Sequence, residues 1–547
     1  MSETKDSEIV INRHTGEAEV RELGALEFVH EYGDNGSKPT YQEASGAPVE
    51  NESPLGLQVT WFTTIFLNIG QMIGTGVFST PASILSGVGS VGLALIYWTL
   101  GLLISGCQFS IYTELASFFP NRSGAEVVYL EQAYPRPKYL LPTTFAVQSV
   151  LLSFSSSNAI VVIFSTKHSL RISNAIGVIK LITLIFISIA GLVVLGGHTK
   201  VADPTANFKN AFAGTTNSGY GLANALVKIN FAYSGYANAF NVIAEVKDPI
   251  RTIKRTGPAS LLIVAILYIL CNIAYFAAIP KETLKESSQL AASLFFTAVF
   301  GSGKSVRALN FLIALSAFGN IVSVNIGSSR IIRECGRQGV LPYPRMWAST
   351  RPFGTPLAAY TLKWALTVLM VLTPPSGDAF NFIVDLYSYP SNLFLSALTV
   401  GLFIIRRNRK KLGIVDEDYK TWDVAIYFSL AVNVFLLVMP WYPPPGGANG
   451  GDVSFWYGTY CAVGLGIMGI CILYYIFWIY VLPYFGKYQI RQELIVMDGE
   501  SSKAHRLVKV PNSELEAWDR AHDALGRKID STTPSEDGGV ENVLEKE

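Results

Sequence analysis

Apolar runs of about twenty residues or longer recur along this chain, separated by short polar stretches that hold most of its charge. Eleven such runs stand near 57–85, 90–119, 141–166, 171–196, 219–245, 257–279, 306–332, 355–373, 378–405, 422–440 and 454–483. A hydrocarbon core about 30 Å thick takes about 20 apolar residues of helix to cross, so each run predicts one membrane span. Two of the runs are interrupted. Residues 69–78 read Ile-Gly-Gln-Met-Ile-Gly-Thr-Gly-Val-Phe, and residues 230–240 read Asn-Phe-Ala-Tyr-Ser-Gly-Tyr-Ala-Asn-Ala-Phe. Glycine costs roughly 1 kcal/mol against alanine inside a helix. Gly74, Thr75 and Gly76 together therefore predict a break at membrane depth, and irregular backbone persists there only where it lines a protein cavity.

The ends of the chain differ from its middle. Residues 1–56 carry four basic and twelve acidic side chains, a net charge of −8, which predicts a disordered acidic tail. Residues 485–547 form a second polar tail with a short helix expected near 513–527. The transmembrane domain between them is placed at 57–484. With no cleavable leader visible in the polar first 56 residues, the first span is expected to direct insertion.

Half of the 547 residues are hydrophobic and 15% are charged, too apolar a balance for a soluble protein of this size. A net charge of +1 argues against nucleic acid as a partner. The five cysteines are scattered and predict neither a disulfide framework nor a metal site, and none of the six histidines lies in an apolar run. Both facts weigh against an intramembrane enzyme and imply no cofactor. Gly301 to Ser305 imitates the end of a phosphate loop, but Ala298 stands where the first glycine belongs and a membrane span follows.

Basic residues cluster after the second run (Arg122, Arg136, Lys138), the fifth (Lys247, Arg251, Lys254, Arg255), the seventh (Arg330, Arg333, Arg337) and the ninth (Arg406, Arg407, Arg409). Positive charge favours the cytoplasmic side, so all four clusters and both tails are expected there. The first two clusters, however, are separated by three runs, an odd number of crossings. One crossing is missing between about 141 and 218.

Paired broken spans are a sequence pointer to a transport site at the membrane midplane. The amides and positive helix end at Gly74–Gly76 suit a carboxylate, and the unpaired carbonyls of both breaks suit an ammonium, a pairing made for a zwitterion. Close helix packing by small residues is the alternative for either break alone. Lys180 lies well inside a run, where a cation costs at least about 3 kcal/mol and faces the bundle interior. Desolvation disfavours a lysine's charged form, which would allow proton exchange in a transport cycle; a fixed structural cation on broken-helix carbonyls is the other reading. Asp385 is expected to line a partly hydrated passage and Lys228 an external vestibule. Glu114 and Glu245, at run ends, are expected in anchoring ion pairs.

Ile-Gly-Thr-Gly-Val-Phe at 73–78, Phe-Ala-Tyr-Ser-Gly-Tyr at 231–236 and Glu-Val-Lys-Asp-Pro at 245–249 resemble, in that order, the amino acid–polyamine–organocation superfamily. The likeness is to its L-type amino acid transporter branch, most of all the fungal methionine permeases, and spans about residues 55–485. It implies an all-α polytopic membrane protein with a leucine-transporter-like inverted-repeat bundle of twelve spans. The fourth is missing here, and residues 165–171 join the third directly to the fifth, through a deletion or a gene-model error of about one helix and a loop.

The resemblance also implies a function: proton-coupled uptake of L-methionine and related neutral or sulfur amino acids at the plasma membrane by alternating access. The implied substrate site is Met72, Ile73, Gly74, Thr75, Gly76, Phe231, Ala232, Tyr233, Ser234 and Gly235. Thr75 and Gly76 would take the carboxylate, and the carbonyls of Met72, Phe231 and Ser234 the ammonium. The Phe231 ring would be the external gate, and Lys180 the proton-coupling residue in place of a sodium site. Tail lysines such as Lys5 and Lys503 would serve ubiquitin-ligase adaptors. A pH-independent exchanger and a non-transporting amino-acid sensor remain as alternatives.

Overall fold

Thr60 starts the first helix, α1 (Trp61–Met72), by accepting the Thr63 amide on its hydroxyl. The chain, seen in a computed structural model, is described here at residues 9–11 and 19–529, apart from 152–164, 200, 287–289, 302, 352, 354, 373–378, 415–417, 451–452, 454 and 498–501. After a break at 73–75 come α2 (Gly76–Val88), α3 (Val91–Phe118), the short α4 (Glu126–Ala133), α5 (Leu140–Leu151), α6 (Thr166–Leu195) and α7 (Gly219–Tyr233). A second break leads to a 3-10 helix at Asn238–Glu245 and then α8 (Pro249–Ala278). The larger helices after it are α9 (Ala291–Phe300), α10 (Lys304–Arg337), α11 (Leu357–Leu372), α12 (Ala379–Lys411), α13 (Asp423–Val438) and α14 (Thr459–Ile476).

Among the described residues, seven helices are long and apolar enough to cross a membrane: α3, α6, α8, α10, most of α12, and α13 and α14 with their continuations. The protein is a multi-pass helical membrane protein. The eleven runs exceed this number for identifiable reasons. Two runs are each split by a break, α11 has only 16 residues, and the run at 141–166 falls largely on 152–164, outside the described residues. The junction ends at Ser165, which caps α6 by accepting the His168 amide.

The broken helices run through the middle in opposite senses. The start of α1 bridges to the end of the 3-10 segment through Val59 and Val246, and the same end of the bundle carries both tails. At the other end α2 and α7 lie side by side, so close that a Cβ on Gly87 would sit 2.8 Å from the Gly221 carbonyl oxygen. One apolar core surrounds α1, α2, α3, α6, α7 and α8. Small residues bring its helices together: a Cβ on Gly191 of α6 would come within 2.1 Å of Ala274 on α8.

The tails depart from expectation. Strands β1 (Ile9–Ile11), β2 (Glu19–Leu23), β3 (Leu26–Glu31) and β4 (Thr40–Glu43) form an antiparallel sheet, and β5 (Tyr488–Met497) with β6 (Ser502–Pro511) forms a hairpin. The disordered tail expected at 1–56 is thus wrong for residues 19–56. Its acidic groups have cationic and amide partners that a composition count omits. Glu50 accepts from Arg333 at 2.7 Å and from the hydroxyl of Ser502 at 2.9 Å. Burial pushes the Glu50 carboxyl up, but Arg333 and Arg337 outweigh it and hold it below the usual carboxylate range. Glu31 and Glu43 are both pushed up by burial, and Glu31 accepts the Gln42 amide at 2.7 Å. Arg122, fully buried, joins three segments: it donates to Gln42 and Glu131 at 2.9 Å and to Glu334 at 2.7 Å. The helix expected near 513–527 is present as Leu515–Ala521.

Candidate functional site at the two helix breaks

The structure brings the two interrupted stretches together. Gly235 has φ +123°, a conformation side chains avoid, and a Cβ on it would lie 2.9 Å from the Met72 nitrogen. A Cβ on Gly76 would sit 3.1 Å from the Ala232 backbone. Glycine is needed at both positions because the two breaks cross in van der Waals contact. The predicted residues Met72 to Gly76 and Phe231 to Gly235 therefore occupy one locus.

The first break has two polarities. At the start of α2 the Thr75 side chain makes no capping bond, and the amides of Gly76 and Val77 have no acceptor within the helix. They point out of the positive end of that helix. On the other side of the break, carbonyls freed from the end of α1 are met by side chains of three helices. Lys180 of α6 donates to Gly70 O at 2.8 Å and Ile73 O at 2.6 Å. The Ser316 hydroxyl of α10 reaches Ile73 O at 3.3 Å, and Asn320 donates to Gln71 O. The Tyr268 hydroxyl of α8 stands 2.6 Å from Met72 O and 3.0 Å from Ala232 O, tying one break to the other.

The second break supports itself. Ser234 folds back so that its amide and hydroxyl donate to Phe231 O at 3.2 and 2.7 Å. Asn238 then donates to Ser323 O at 3.0 Å, and Asn68 accepts the Ala239 amide at 3.0 Å. Two of the carbonyls assigned to an ammonium, Met72 O and Phe231 O, thus already accept two hydrogen bonds each: Met72 O from the Gly74 amide at 2.9 Å and the Tyr268 hydroxyl, Phe231 O from the Ser234 amide and hydroxyl. Tyr233 is a packing residue: fully buried, it donates to Trp98 O at 2.9 Å.

Sequence reasoning missed Tyr268, Ser316, Asn320 and Asn238, since a lone Tyr or Asn in an apolar run has no periodic mark. It also misplaced Lys228 and Asp385. Neither lines a hydrated passage: they form an ion pair at 2.8 Å with side chains 0% and 2% exposed. Glu114 and Glu245 are in ion pairs, with Arg406 at 2.7 Å and Arg330 at 2.8 Å.

Comparison with known proteins supplies the rest. The profile of the amino acid permease family matches residues 59–162 and 153–467. The chain is 34% identical over 487 residues to the high-affinity methionine permease of Saccharomyces cerevisiae, covering 82% of this chain and 83% of that protein. It is 27% identical over 479 residues to the low-affinity methionine permease of the same yeast, covering 80% and 85%. With the human b(0,+)-type amino acid transporter 1 the identity is 26% over 447 residues, covering 75% and 88%. These relatives are transporters, not enzymes.

The profile match falls into two pieces that meet at 153–162. In the first alignment, 82% of 547 residues is about 449, so about 38 of the 487 aligned positions find no residue in this chain. That is the length of one span and a loop. The two profile pieces meet where the charge parity failed. From two glycine-broken helices crossing inside the bundle, and from matches that run the length of the bundle, the chain belongs to the amino acid permease family and is built for amino acid transport.

Proposed function

We propose that this permease takes up L-methionine across the plasma membrane, driven by protons, with the substrate held at the crossing of the two breaks. The observation that carries this reading is the opposed polarity of that crossing: open amides at Gly76 on one side, carbonyls of Met72, Phe231 and Ser234 on the other. A zwitterion's carboxylate and ammonium match these two ends. The buried apolar wall around the crossing, with Ile73, Val77 and Phe78, suits a thioether, and the two yeast relatives named as methionine permeases support that choice. Phe231, half-buried at the end of α7, serves as the gate. Lys180 couples transport to protons, because a change in its charge alters its grip on Gly70 O and Ile73 O.

Both tails lie in the cytoplasm in this reading, since the end of the bundle that carries them also carries Arg122, Arg333, Arg337 and Arg406. Residues 1–56 and 485–547 flank the membrane domain at 57–484, and their lysines, such as Lys503, are available to ubiquitin-ligase adaptors. A second reading, a sensor that binds amino acid without carrying it, is favoured by one observation: the family profile matches in two pieces that break at 153–162.

Labelled methionine uptake at pH 5 and pH 7 in a permease-deficient host tests the proposal, with the chain run beside a version carrying a family-like fourth helix. Uptake several-fold faster at pH 5 is expected. Equal rates would turn the assignment to an exchanger. Binding without uptake by the chain as it stands would turn it to a sensor.

A further inference from the structure

We propose that Glu126 and the tyrosines around it form a second station for the substrate's ammonium, between the crossing of the breaks and the tails, an assignment that rests on the carrier reading above. Glu126 opens α4, and the turn that aims it is strained: Gly124 has φ +97° and Ala125 φ +38°. Its Oε1 accepts the Tyr112 hydroxyl of α3 at 2.7 Å, and its buried Oε2 has no partner among the described residues. Tyr129 of α4, Tyr236 of the second break and Tyr387 of α12 also lie within reach of its charge. Tyr236 directly follows Gly235, and the rings of Tyr236 and Tyr129 each stand edge-on to Tyr112 at 6.0 Å. In the other direction α4 runs to Glu131, held by Arg122, and to Gln132, which accepts the Glu43 amide of β4 at 2.7 Å. The carboxylate therefore stands on the tail side of the crossing, next to the second break.

Among the described residues no cation pairs with it. The guanidiniums at this end of the bundle are engaged elsewhere: Arg122 by Glu131 and Glu334, Arg330 by Glu245, Arg337 by Glu334. A buried carboxylate without a counter-ion is costly, and burial pushes the Glu126 carboxyl above its usual range. Empty, it holds a proton more readily than an exposed glutamate does; ionised, it needs a cation supplied from elsewhere. The walls decide which kind. Aromatic rings around one carboxylate suit an alkylammonium, which the ring quadrupoles attract, whereas a bare metal ion asks for several oxygen ligands. Glu126 and Tyr236 are half-buried and Tyr387 is 47% exposed, so the cage has room for a guest. An amino acid leaving the crossing toward the tails can pass its ammonium from the carbonyls of Phe231 and Ser234 to this carboxylate.

Ethylammonium, which has the ammonium and lacks the carboxylate, is the probe. In the purified full chain at pH 8, ethylammonium chloride at about 50 mM should raise the melting temperature by about 2 °C over the same concentration of sodium chloride. E126Q, which keeps the shape and loses the charge, should abolish that rise, and E126D should retain part of it. Should E126Q not fold, Y387L takes away one partly exposed ring and should cut the rise by about half or more. In reconstituted vesicles of known orientation, E126Q should raise KM for methionine presented from the tail face about tenfold and leave KM from the opposite face in place. A carboxyl that only stabilises the fold would shift neither KM, or both alike. A rise that persists in folded E126Q, or a KM that does not move from the tail face alone, overturns the assignment. Failure of the carrier reading is distinct: the native chain would then transport nothing, while ethylammonium would still stabilise it and not E126Q.

Discussion

The two breaks are alike in sequence and opposite in support. Around the first, among the described residues, the side-chain donors to the freed carbonyls come from other helices: Lys180 from α6, Tyr268 from α8, Ser316 and Asn320 from α10. Around the second, the main bonds are local: Ser234 to Phe231 O, and the Asn238 amide to Gly235 O at 3.1 Å. Backbone carbonyls in hydrocarbon must be met in one of these two ways. The difference teaches which part of the site is framework and which part moves. A break propped from three helices changes shape only if those helices shift. A break that satisfies itself can swing as one piece with α7 and keep its geometry.

The strongest way to break this comparison is to remove the prop. K180M strips Gly70 O of its donor and leaves Ile73 O to Ser316 alone. At about 1–3 kcal/mol for each buried acceptor left unmet, uptake per molecule at the surface should fall about 100-fold, and acid stimulation should vanish. A loss below about fivefold would show that Tyr268 and α10 hold the first break unaided. Y268F removes a hydroxyl shared by the two breaks and should cost about 1–2 kcal/mol, roughly tenfold in uptake. S234A, at the self-supported break, should cost about fivefold or less, since the Ser234 amide still reaches Phe231 O. An effect of S234A larger than that of Y268F would reverse the assignment of framework and moving part.

The smallest effect on uptake is expected far from both breaks, at His505 of β6, and it sharpens the comparison by removing a rival source of pH dependence. Burial, with Arg122 nearby, pushes the His505 imidazole down to about 3. The unfolded chain takes up this proton near pH 6.5 and the folded hairpin does not, so stability is full above about 6.5 and falls as pH drops toward 3. At pH 5 the loss is about 2 kcal/mol. The protection of amides across 488–511 against hydrogen exchange, taken relative to the intrinsic rate at each pH, should fall between pH 7 and 5 in purified protein, and H505Q should abolish that fall. Methionine uptake at pH 5 against pH 7 should differ by less than about twofold between H505Q and the native chain.

How much of this was legible depends on what kind of signal each feature leaves. Both breaks were, because glycine in an apolar run contradicts the helix that the run otherwise demands. Lys180 was legible for the same reason, a charge where charge is costly. The donors Tyr268, Asn320 and Asn238 were not, because their role depends on how helices far apart in sequence cross. Lys228 and Asp385 were each noticed and not paired, being 157 residues apart on helices whose contact nothing local encodes. In the N-terminal tail, the net charge of −8 concealed the apolar residues Val20, Leu23, Leu26 and Val29, which face one another in pairs across β2 and β3, Val20 opposite Val29 and Leu23 opposite Leu26.

Arg122 finds Glu334 212 residues later, and Glu50 finds Ser502 452 residues later. A ribosome delivers these partners in order, so the guanidinium of Arg122 leaves the tunnel long before α10 exists to meet it. Glu50 meets Arg333 once α10 is made and Ser502 only when the hairpin follows. The knot of charges that seals the tail end of the bundle is therefore the last part of the molecule to be completed. A nascent chain stopped short of the hairpin has an exposed, unclosed acidic strap, the mark by which an unfinished copy differs from a finished one.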